Sequence, residues 1–246
     1  MERITAIKDR LTLVQSPPQT FSETSGLYEC DDCSDSGFEV ISGKGARPCG
    51  CRLTKIREQR LAKVPPVFAG VNLADIKPMP AKHKSQAEFV PAMLADPSAS
   101  FYFSGRFGTG KSTFLWALYK HAVEQNRPKV VVCTLSELLN EYKAFIQASI
   151  AGTEPKPPRL NADELRQKHT RYAIFLDDLD KAKPTEYAAE QLFEIVNAIY
   201  DFRHQVVVTT NLSVGKLVDH FDRADERYGG AIVRRLTYGA KIVEMF

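Results

Sequence analysis

The sequence lacks any apolar stretch long enough to cross a membrane. Its longest unbroken apolar run extends only from Phe114 to Tyr119, whereas a membrane-spanning helix needs about 20 residues. The N-terminal region carries charged residues such as Lys8, Asp9 and Arg10, at positions where a signal peptide has an apolar core. We therefore expect a cytoplasmic protein that is not bound to a membrane.

The chain is also poor in cysteine and close to neutral. Five cysteines among 246 residues are an odd number and too few for a disulfide-stabilised scaffold. The 33 basic and 30 acidic residues leave a formal charge of +3, which excludes a basic packaging protein but is compatible with a local basic surface. Apolar residues at 43% and charged residues at 26% are ordinary for a globular chain. The length predicts one main domain with a smaller appendage.

Four of the five cysteines are clustered near the N-terminus. The spacing Cys30-x₂-Cys33-x₁₅-Cys49-x-Cys51 can place four thiolates around one tetrahedral Zn²⁺. A redox pair and unligated thiols are the alternatives, but no thioredoxin-like βαβ pattern surrounds the Cys-x-x-Cys segment. Because protein would fill all four ligand positions, we expect the zinc to be structural. Cys133, in an apolar run, is predicted to be a core residue.

Hydrophobic periodicity and proline divide the chain into parts. Residues 2–15 and 52–64 have apolar side chains at helical spacing, and Pro65-Pro66 follows the second segment. From about residue 98, short apolar runs alternate with amphipathic helical patterns, which favours a parallel sheet covered on both faces. We predict a zinc-binding domain over 1–64, a linker and the edge of the next domain over 65–97, and an α/β domain over 98–246.

Within the α/β part, individual elements are predicted from the same patterns. The predicted strands are 101–104, 129–133, 172–177, 205–210 and 240–244, and the predicted helices are 112–125, 137–150, 162–168 and 186–202. Asn161 precedes the third of these helices and Glu164 follows three residues later, which is a helix-start pattern.

The segment from Gly105 to Ser112 carries a phosphate-binding motif. Gly-Arg-Phe-Gly-Thr-Gly-Lys-Ser fits G-x-x-x-x-G-K-[ST] between a predicted strand and a predicted helix, the context that a P-loop requires. Its backbone N–H groups can surround a phosphate, Lys111 offers positive charge and Ser112 offers a hydroxyl to Mg²⁺. The residues predicted to contact nucleotide are Gly105, Arg106, Phe107, Gly108, Thr109, Gly110, Lys111, Ser112 and Thr113.

Polar residues follow two other apolar strands. Asp177 and Asp178 end the run that begins at Tyr172. Because adjacent carboxylates repel each other, such a pair is costly, and a bound cation or a catalytic role would explain it. We predict Asp177 as a Mg²⁺ ligand and Asp178 as the base that activates water. Asn211 follows the strand 205–210, where it would orient that water or contact the γ-phosphate; a turn-forming asparagine is the alternative. Asp180 and Lys181 are predicted to be surface residues.

Together, these motifs resemble AAA+ ATPases, and residues 28–246 resemble the DnaC/DnaI-type helicase loaders of bacteria and their phages. Besides the P-loop, the segments that carry the resemblance are Cys30–Phe38, Pro48–Cys51, Pro65–Phe68, Val131–Leu139, Leu176–Leu179, Thr209–Leu212 and Ala231–Leu236. The resemblance implies an AAA+ P-loop NTPase with a parallel five-stranded sheet, preceded by a small zinc-binding domain. Only ten residues follow Leu236, so we expect no C-terminal helical lid.

The resemblance also implies a function and further site roles. It implies ATP-dependent loading of a hexameric DnaB-type helicase onto single-stranded DNA, with ATP, Mg²⁺ and Zn²⁺ as cofactors and a homo-oligomer or an assembly on the helicase as the working form. In the family, a strand-end asparagine is sensor 1 and a late arginine reaches into a neighbour's ATP site. These roles fall on Asn211 and Arg235, and the alternative arginines are Arg234, Arg227 and Arg223. Hydrolysis is then expected to be slow in the isolated protein.

Other functions fit parts of the sequence. An IstB-like ATPase that assists a transposase shares the ATPase motifs but does not usually have this cysteine cluster. A metabolic P-loop kinase would need a lid, whereas residues 151–160 have the composition of a loop. A third alternative is a zinc-bearing adaptor that binds DNA and holds ATP without hydrolysing it. Any DNA contact would use basic and aromatic side chains, for which Lys143, Phe145 and Arg171 are candidates.

Overall fold

The computed structural model describes residues 29–77, 85–167 and 169–246, without the side chains of 85–87; the predicted helix 2–15 lies outside the described residues. The chain divides into two compact units, residues 1–53 and 54–246. This division falls before the predicted domain limit at residue 64, and the functional division remains a prediction. Among the described residues, no helix combines the length and apolar character of a membrane span.

The described part of the smaller unit contains a short β-hairpin, in a segment for which the sequence predicted no regular structure. Strand β1 (Phe38–Ile41) pairs antiparallel with β2 (Gly45–Pro48), and helix α1 (Gly50–Leu61) follows. The Arg52 guanidinium lies 4.3 Å from the centre of the Phe38 ring. Each strand has only four residues and is largely exposed, which is too short a run for an alternating hydrophobic pattern to predict a strand.

The larger unit is built on a parallel five-stranded sheet. The strands are β3 (Phe101–Gly105), β4 (Lys129–Thr134), β5 (Tyr172–Asp177), β6 (Gln205–Thr210) and β7 (Lys241–Met245), and their order in the sheet is β4-β5-β6-β3-β7. All five agree with the predicted strands to within one residue at each end, and the α/β class is confirmed. Because the strands are parallel, their carboxyl ends lie along one edge of the sheet.

Helices cover both faces of this sheet. They are α2 (Ser85–Ala95), α3 (Lys111–Glu124), α4 (Leu135–Ile150), α5 (Ala162–Leu165), α6 (Glu186–Asp201), α7 (Val214–Asp222) and α8 (Gly229–Thr237). One face packs α2 and α3 into a core that includes Phe103 and Leu115. The other packs α4, α6 and α8 into a core that includes Leu138, Ile195 and Leu236. Both faces of the sheet are therefore buried, as the apolar strands require.

Two details of the helices differ from the sequence prediction. The helix predicted over 162–168 ends at Leu165, although its start is as expected because the Asn161 side chain accepts a hydrogen bond from the Asp163 N–H at 2.9 Å. Helices α2, α7 and α8 were not predicted. Pro91 lies inside α2 and two glycines begin α8, residues that ordinarily weaken a helix.

Candidate functional site

The loop between β3 and α3 has the backbone shape that a phosphate-binding loop requires. A side chain at Gly105 would bring its Cβ to 2.3 Å from the Met245 carbonyl oxygen of β7, so only glycine fits there. Gly110 has a left-handed φ of 92° and caps α3, whose first residue is Lys111. The loop therefore passes from the carboxyl end of a central strand directly into a helix N-terminus, where backbone N–H groups favour an anion.

Three oxygens hold the ammonium group of Lys111. Nζ donates to the carbonyl oxygens of Gly105 at 2.8 Å and Arg106 at 2.9 Å, and to Oδ1 of Asn211 at 3.1 Å. Burial lowers the pKa of Lys111, and nearby carboxylates, foremost that of Asp178, oppose this shift. The side chain is thus a fixed cation between the loop and the end of β6.

Asp177 lies within hydrogen-bonding distance of two hydroxyls. Its Oδ1 accepts from Ser112 Oγ at 3.1 Å and from Thr209 Oγ1 at 2.5 Å. A carboxylate and a hydroxyl in contact are hard oxygen ligands of the kind that Mg²⁺ prefers, and the remaining ligands would be phosphate oxygens and water. These residues therefore fit the ion. The sequence did not single out Thr209, which orients Asp177 from the neighbouring strand.

Asp178 turns away from the strand in a left-handed conformation with φ 50°. Its N–H donates to Thr209 Oγ1 at 2.9 Å, so the same threonine fixes both members of the acidic pair. Burial raises the pKa of Asp178, and the adjacent charge of Asp177 raises it further. A carboxylate with a raised pKa is a better proton acceptor, which suits the role predicted for Asp178.

The prediction that Asp180 is a surface residue is wrong. Asp180 is half-buried and holds Asn211: its Oδ1 accepts from the Asn211 backbone N–H at 2.8 Å and from Thr210 Oγ1 at 2.9 Å, and its Oδ2 accepts from Asn211 Nδ2 at 3.1 Å. Burial raises the pKa of Asp180, but these bonds outweigh it and the pKa is lowered. Because a carboxylate accepts from the amide NH₂, Oδ1 of Asn211 is turned toward Lys111. Lys181 is exposed, as predicted.

A pocket of about 340 Å³ joins these groups. Its lining residues are Phe68, Phe107, Gly108, Gly110, Lys111, Ser112, Thr113, Asp178 and Asn211. A larger cavity of about 690 Å³, lined in part by Trp116, Glu141 and Arg159, lies at the carboxyl end of β4 and borders Asp177 at the end of β5. None of the residues that line the larger cavity belongs to the P-loop segment. The chemistry of phosphate binding therefore favours the smaller pocket as the nucleotide site.

Arg235 lies at the other edge of the sheet. It lines a second cavity of about 340 Å³ together with Ser100 and His204, which directly precede the amino ends of β3 and β6. Its guanidinium lies over the rings of Phe193 at 5.2 Å and Tyr200 at 5.9 Å. The P-loop begins at a carboxyl end, so the structure does not bring Arg235 to the Lys111 pocket of its own chain.

The other arginines and the candidate DNA contacts are exposed or half-buried residues. Arg234 and Arg223 are exposed, and Arg227 is paired with Asp225. Of the candidate DNA contacts, Lys143 and Arg171 are exposed and Phe145 is half-buried; the structure leaves their roles as predictions.

The four N-terminal cysteines converge within the smaller unit. Their Sγ atoms all lie within 4.8 Å of one another, with Cys30 to Cys49 at 3.7 Å and Cys33 to Cys51 at 3.4 Å. Four ligands at a Zn–S distance of about 2.3 Å would be about 3.8 Å apart, so the cluster can hold a metal ion and fits zinc. Cys133 is instead a buried residue of β4, as predicted, and burial raises its pKa to about 12.

The larger unit has the α/β fold of AAA+ P-loop domains, and the carboxyl ends of three adjacent parallel strands supply its phosphate loop, its acidic pair and its asparagine. The chain is similar to solved structures of this class. The crystal structure of DnaI has a TM-score of 0.56 at 16% identity and covers 75% of this chain and 92% of that chain. The crystal structure of the DnaC helicase loader has a TM-score of 0.53 at 17% identity, covering 74% of this chain and 100% of that one.

The sequence comparison finds similarity to chromosomal replication initiator proteins. The chain is 23% identical over 128 residues to the chromosomal replication initiator protein DnaA of Aliarcobacter butzleri (strain RM4018), which is 52% of this chain and 26% of that protein. The chain thus spans about a quarter of the length of the curated relatives it matches. No protein-family model matches the chain.

Proposed function

We propose that the chain is an ATP-dependent loader or remodeller of a replicative DnaB-type helicase, acting on single-stranded DNA during the initiation of replication. The observation that carries this proposal is the coverage of the fold. It extends over all of the DnaC helicase loader structure and nearly all of the DnaI structure. It comes with Lys111, Ser112, Asp178 and Asn211 in one pocket, and Ser112 also contacts Asp177. The similarity to DnaA supports the broader role in replication initiation.

The geometry supports ATP hydrolysis by water. Lys111 and the loop N–H groups bind the β- and γ-phosphates. Ser112 and Asp177 would hold Mg²⁺, which would neutralise charge on these phosphates. Asp178 accepts a proton from the attacking water. The water oxygen bonds to the γ-phosphorus while the bond from the γ-phosphorus to the β–γ bridging oxygen breaks, which releases ADP and inorganic phosphate. Asn211, fixed by Asp180, orients the water. A structural zinc ion held by the four clustered cysteines would maintain the N-terminal unit as the part that grips the helicase.

Arg235 is proposed to complete the ATP site of a neighbouring subunit. Its distance from the pocket of its own chain supports action in trans, since about 17 Å of strand separates the two edges of the sheet. We expect Arg235→Ala to lower ATP turnover of the assembled protein by about 1,000-fold, the lower end of what arginine fingers contribute. ATP affinity of the isolated chain should not change. Arg234→Ala tests the neighbouring alternative arginine, and it should leave turnover unchanged if Arg235 has this role. Phosphate release at equal, verified oligomer content measures the effect; unchanged turnover would exclude Arg235 from this role.

The proposed function is tested by a loading assay. A purified hexameric DnaB-type helicase is incubated with circular single-stranded DNA that is coated with single-strand-binding protein, and helicase retained on the circle is measured with and without the full chain and ATP. We expect the chain to increase retention at least about tenfold and to co-elute with the helicase. No increase, or affinity capture of a transposase in place of the helicase, would favour the IstB-like alternative.

A further inference from the structure

A buried lysine on α3 binds residues 69–72, a segment that lies before the P-loop in the sequence. Lys120 is 9% exposed. Its Nζ donates to the carbonyl oxygens of Ala69 and Val71, each at 2.7 Å, and to Oδ1 of Asn72 at 3.0 Å. An ammonium group has three hydrogens, so these bonds use all of them. The acceptors are neutral, and two belong to the backbone, so the bonds fix the path of the chain.

The segment held in this way carries one wall of the pocket. Phe68 lines the pocket together with the P-loop, and its ring stacks on that of Trp116 with a centroid distance of 6.1 Å and an interplanar angle of 19°. The backbone bonds around it are local turns, such as Phe68 N–H to Pro65 O at 2.8 Å and Val71 N–H to Phe68 O at 3.1 Å. These turns bend the segment, and Lys120 attaches it to α3.

Helix α3 connects this attachment to the phosphate loop. The helix begins at Lys111, and Lys120 follows nine residues later, about 14 Å along the axis. One rigid helix therefore carries the phosphate-binding lysine at its start, Trp116 in the middle and the anchor of the Phe68 segment near its end. Helix geometry fixes the distances between Lys111, Trp116 and Lys120. Because the Phe68 ring stacks on Trp116 and its segment is bonded to Lys120, the distance from the phosphate-binding loop to the Phe68 ring is set as well.

We propose that Lys120 is a positioning residue that sets the base-side wall of the nucleotide pocket by holding the Phe68 ring where it stacks on the purine base of a bound nucleotide. The inference rests on the proposed binding of ATP. Stacking on an aromatic ring is available to any base, so Lys120 contributes to the affinity for a nucleoside triphosphate and contributes nothing to the affinity for a triphosphate without a base.

The test compares two ligands that differ in the base. Binding of ATP and of inorganic tripolyphosphate, both with Mg²⁺, is measured by calorimetry on the full chain. We expect Lys120→Met, which keeps the length but removes the donors, to weaken ATP binding about tenfold and leave tripolyphosphate binding unchanged. Phe68→Ala should give the same pattern, and the double variant should be no weaker than the single ones, because both act through one ring. Lys120→Arg should restore part of the affinity.

Arg60→Met is the matched control. The Arg60 guanidinium also donates to two backbone oxygens, those of Arg127 and Pro128, both at 2.7 Å, but it does not line the pocket. We expect this variant to lower the melting temperature with both affinities unchanged. If Lys120→Met does not fold, the exposed Asn72→Ala removes one acceptor and should weaken ATP binding about threefold with tripolyphosphate unaffected.

The outcomes separate this inference from the proposed function. The role of Lys120 would be overturned if Lys120→Met, or its substitute Asn72→Ala, lowered the affinities for ATP and tripolyphosphate equally. Unchanged ATP affinity in that variant would overturn it as well. A wild-type chain that binds neither ATP nor tripolyphosphate would contradict the proposed ATPase function itself.

Discussion

Replacing Lys111 by alanine is expected to abolish ATP hydrolysis and to weaken ATP binding by about 100-fold. Hydrogen bonds to charged groups contribute about 1.5–3 kcal/mol each, and the ammonium group can give two of its three hydrogens to the phosphates by exchanging them from the loop carbonyl oxygens. The replacement also removes its bonds to Gly105, Arg106 and Asn211. The loop and the asparagine then lose the contact that connects them, so the orientation of the water suffers together with phosphate binding.

Phosphate release and ATP titration, each with and without single-stranded DNA, measure this effect. Lys129→Ala is the matched control, because Lys129 is an exposed lysine at the start of β4, at the opposite edge of the sheet. Its turnover should equal that of the wild type. Undiminished hydrolysis by Lys111→Ala would show that the pocket is not the catalytic one. A wild type that binds ATP without hydrolysing it would instead support the adaptor alternative.

The strands of the sheet were predicted to within one residue because they are almost continuously apolar. Buried parallel strands are apolar on both faces, so the runs that became β5 and β6 stand out from the polar loops around them. Helices α7 and α8 do have an apolar face, which includes Leu217 and Phe221 in α7 and Ile232 and Leu236 in α8, but the prediction passed over it. They are short, and α8 opens on Gly229, where close packing against α7 requires the absence of a side chain because a Cβ would lie 2.2 Å from Asp222 Oδ1. That requirement arises from tertiary contact and cannot be read from local pattern.

The candidate site shows the same limit. Lys111, Asp177 and Asn211 were predicted because each belongs to a local motif or follows an apolar strand. Thr209 and Asp180 act on residues of other strand ends, so their importance depends on sheet order and on the turn after Asp178. A third acidic residue, Asp180, follows the pair in Asp-Asp-Leu-Asp. It could have indicated a further role at the site, but it was predicted to be a surface residue.

Loss of the cysteine cluster is expected to unfold the smaller unit, because the described part of that unit has almost no core of its own. Among its described residues, 29–53, the buried side chains are Cys33 and Cys49. A two-stranded hairpin is marginally stable by itself in water, whereas structural zinc contributes about 10–16 kcal/mol to the folding of small zinc domains. If the ion is bound as proposed, most of the stability of this unit comes from the four zinc–sulfur bonds.

We therefore expect the purified chain to contain one zinc ion, and Cys33→Ser or an excess of chelator to remove it and to unfold the hairpin. Elemental analysis measures the zinc, and hydrogen exchange measures the amide protection of residues 38–48. Cys133→Ser is the matched control, since its thiol lies in the core of the larger unit; it should lower stability but keep the zinc and the hairpin protection. A hairpin that stays protected after the metal is removed would mean that hydrogen bonds such as those from the Glu29 and Cys30 N–H groups to Asp35 hold the unit without zinc, and the four thiols would then need another explanation.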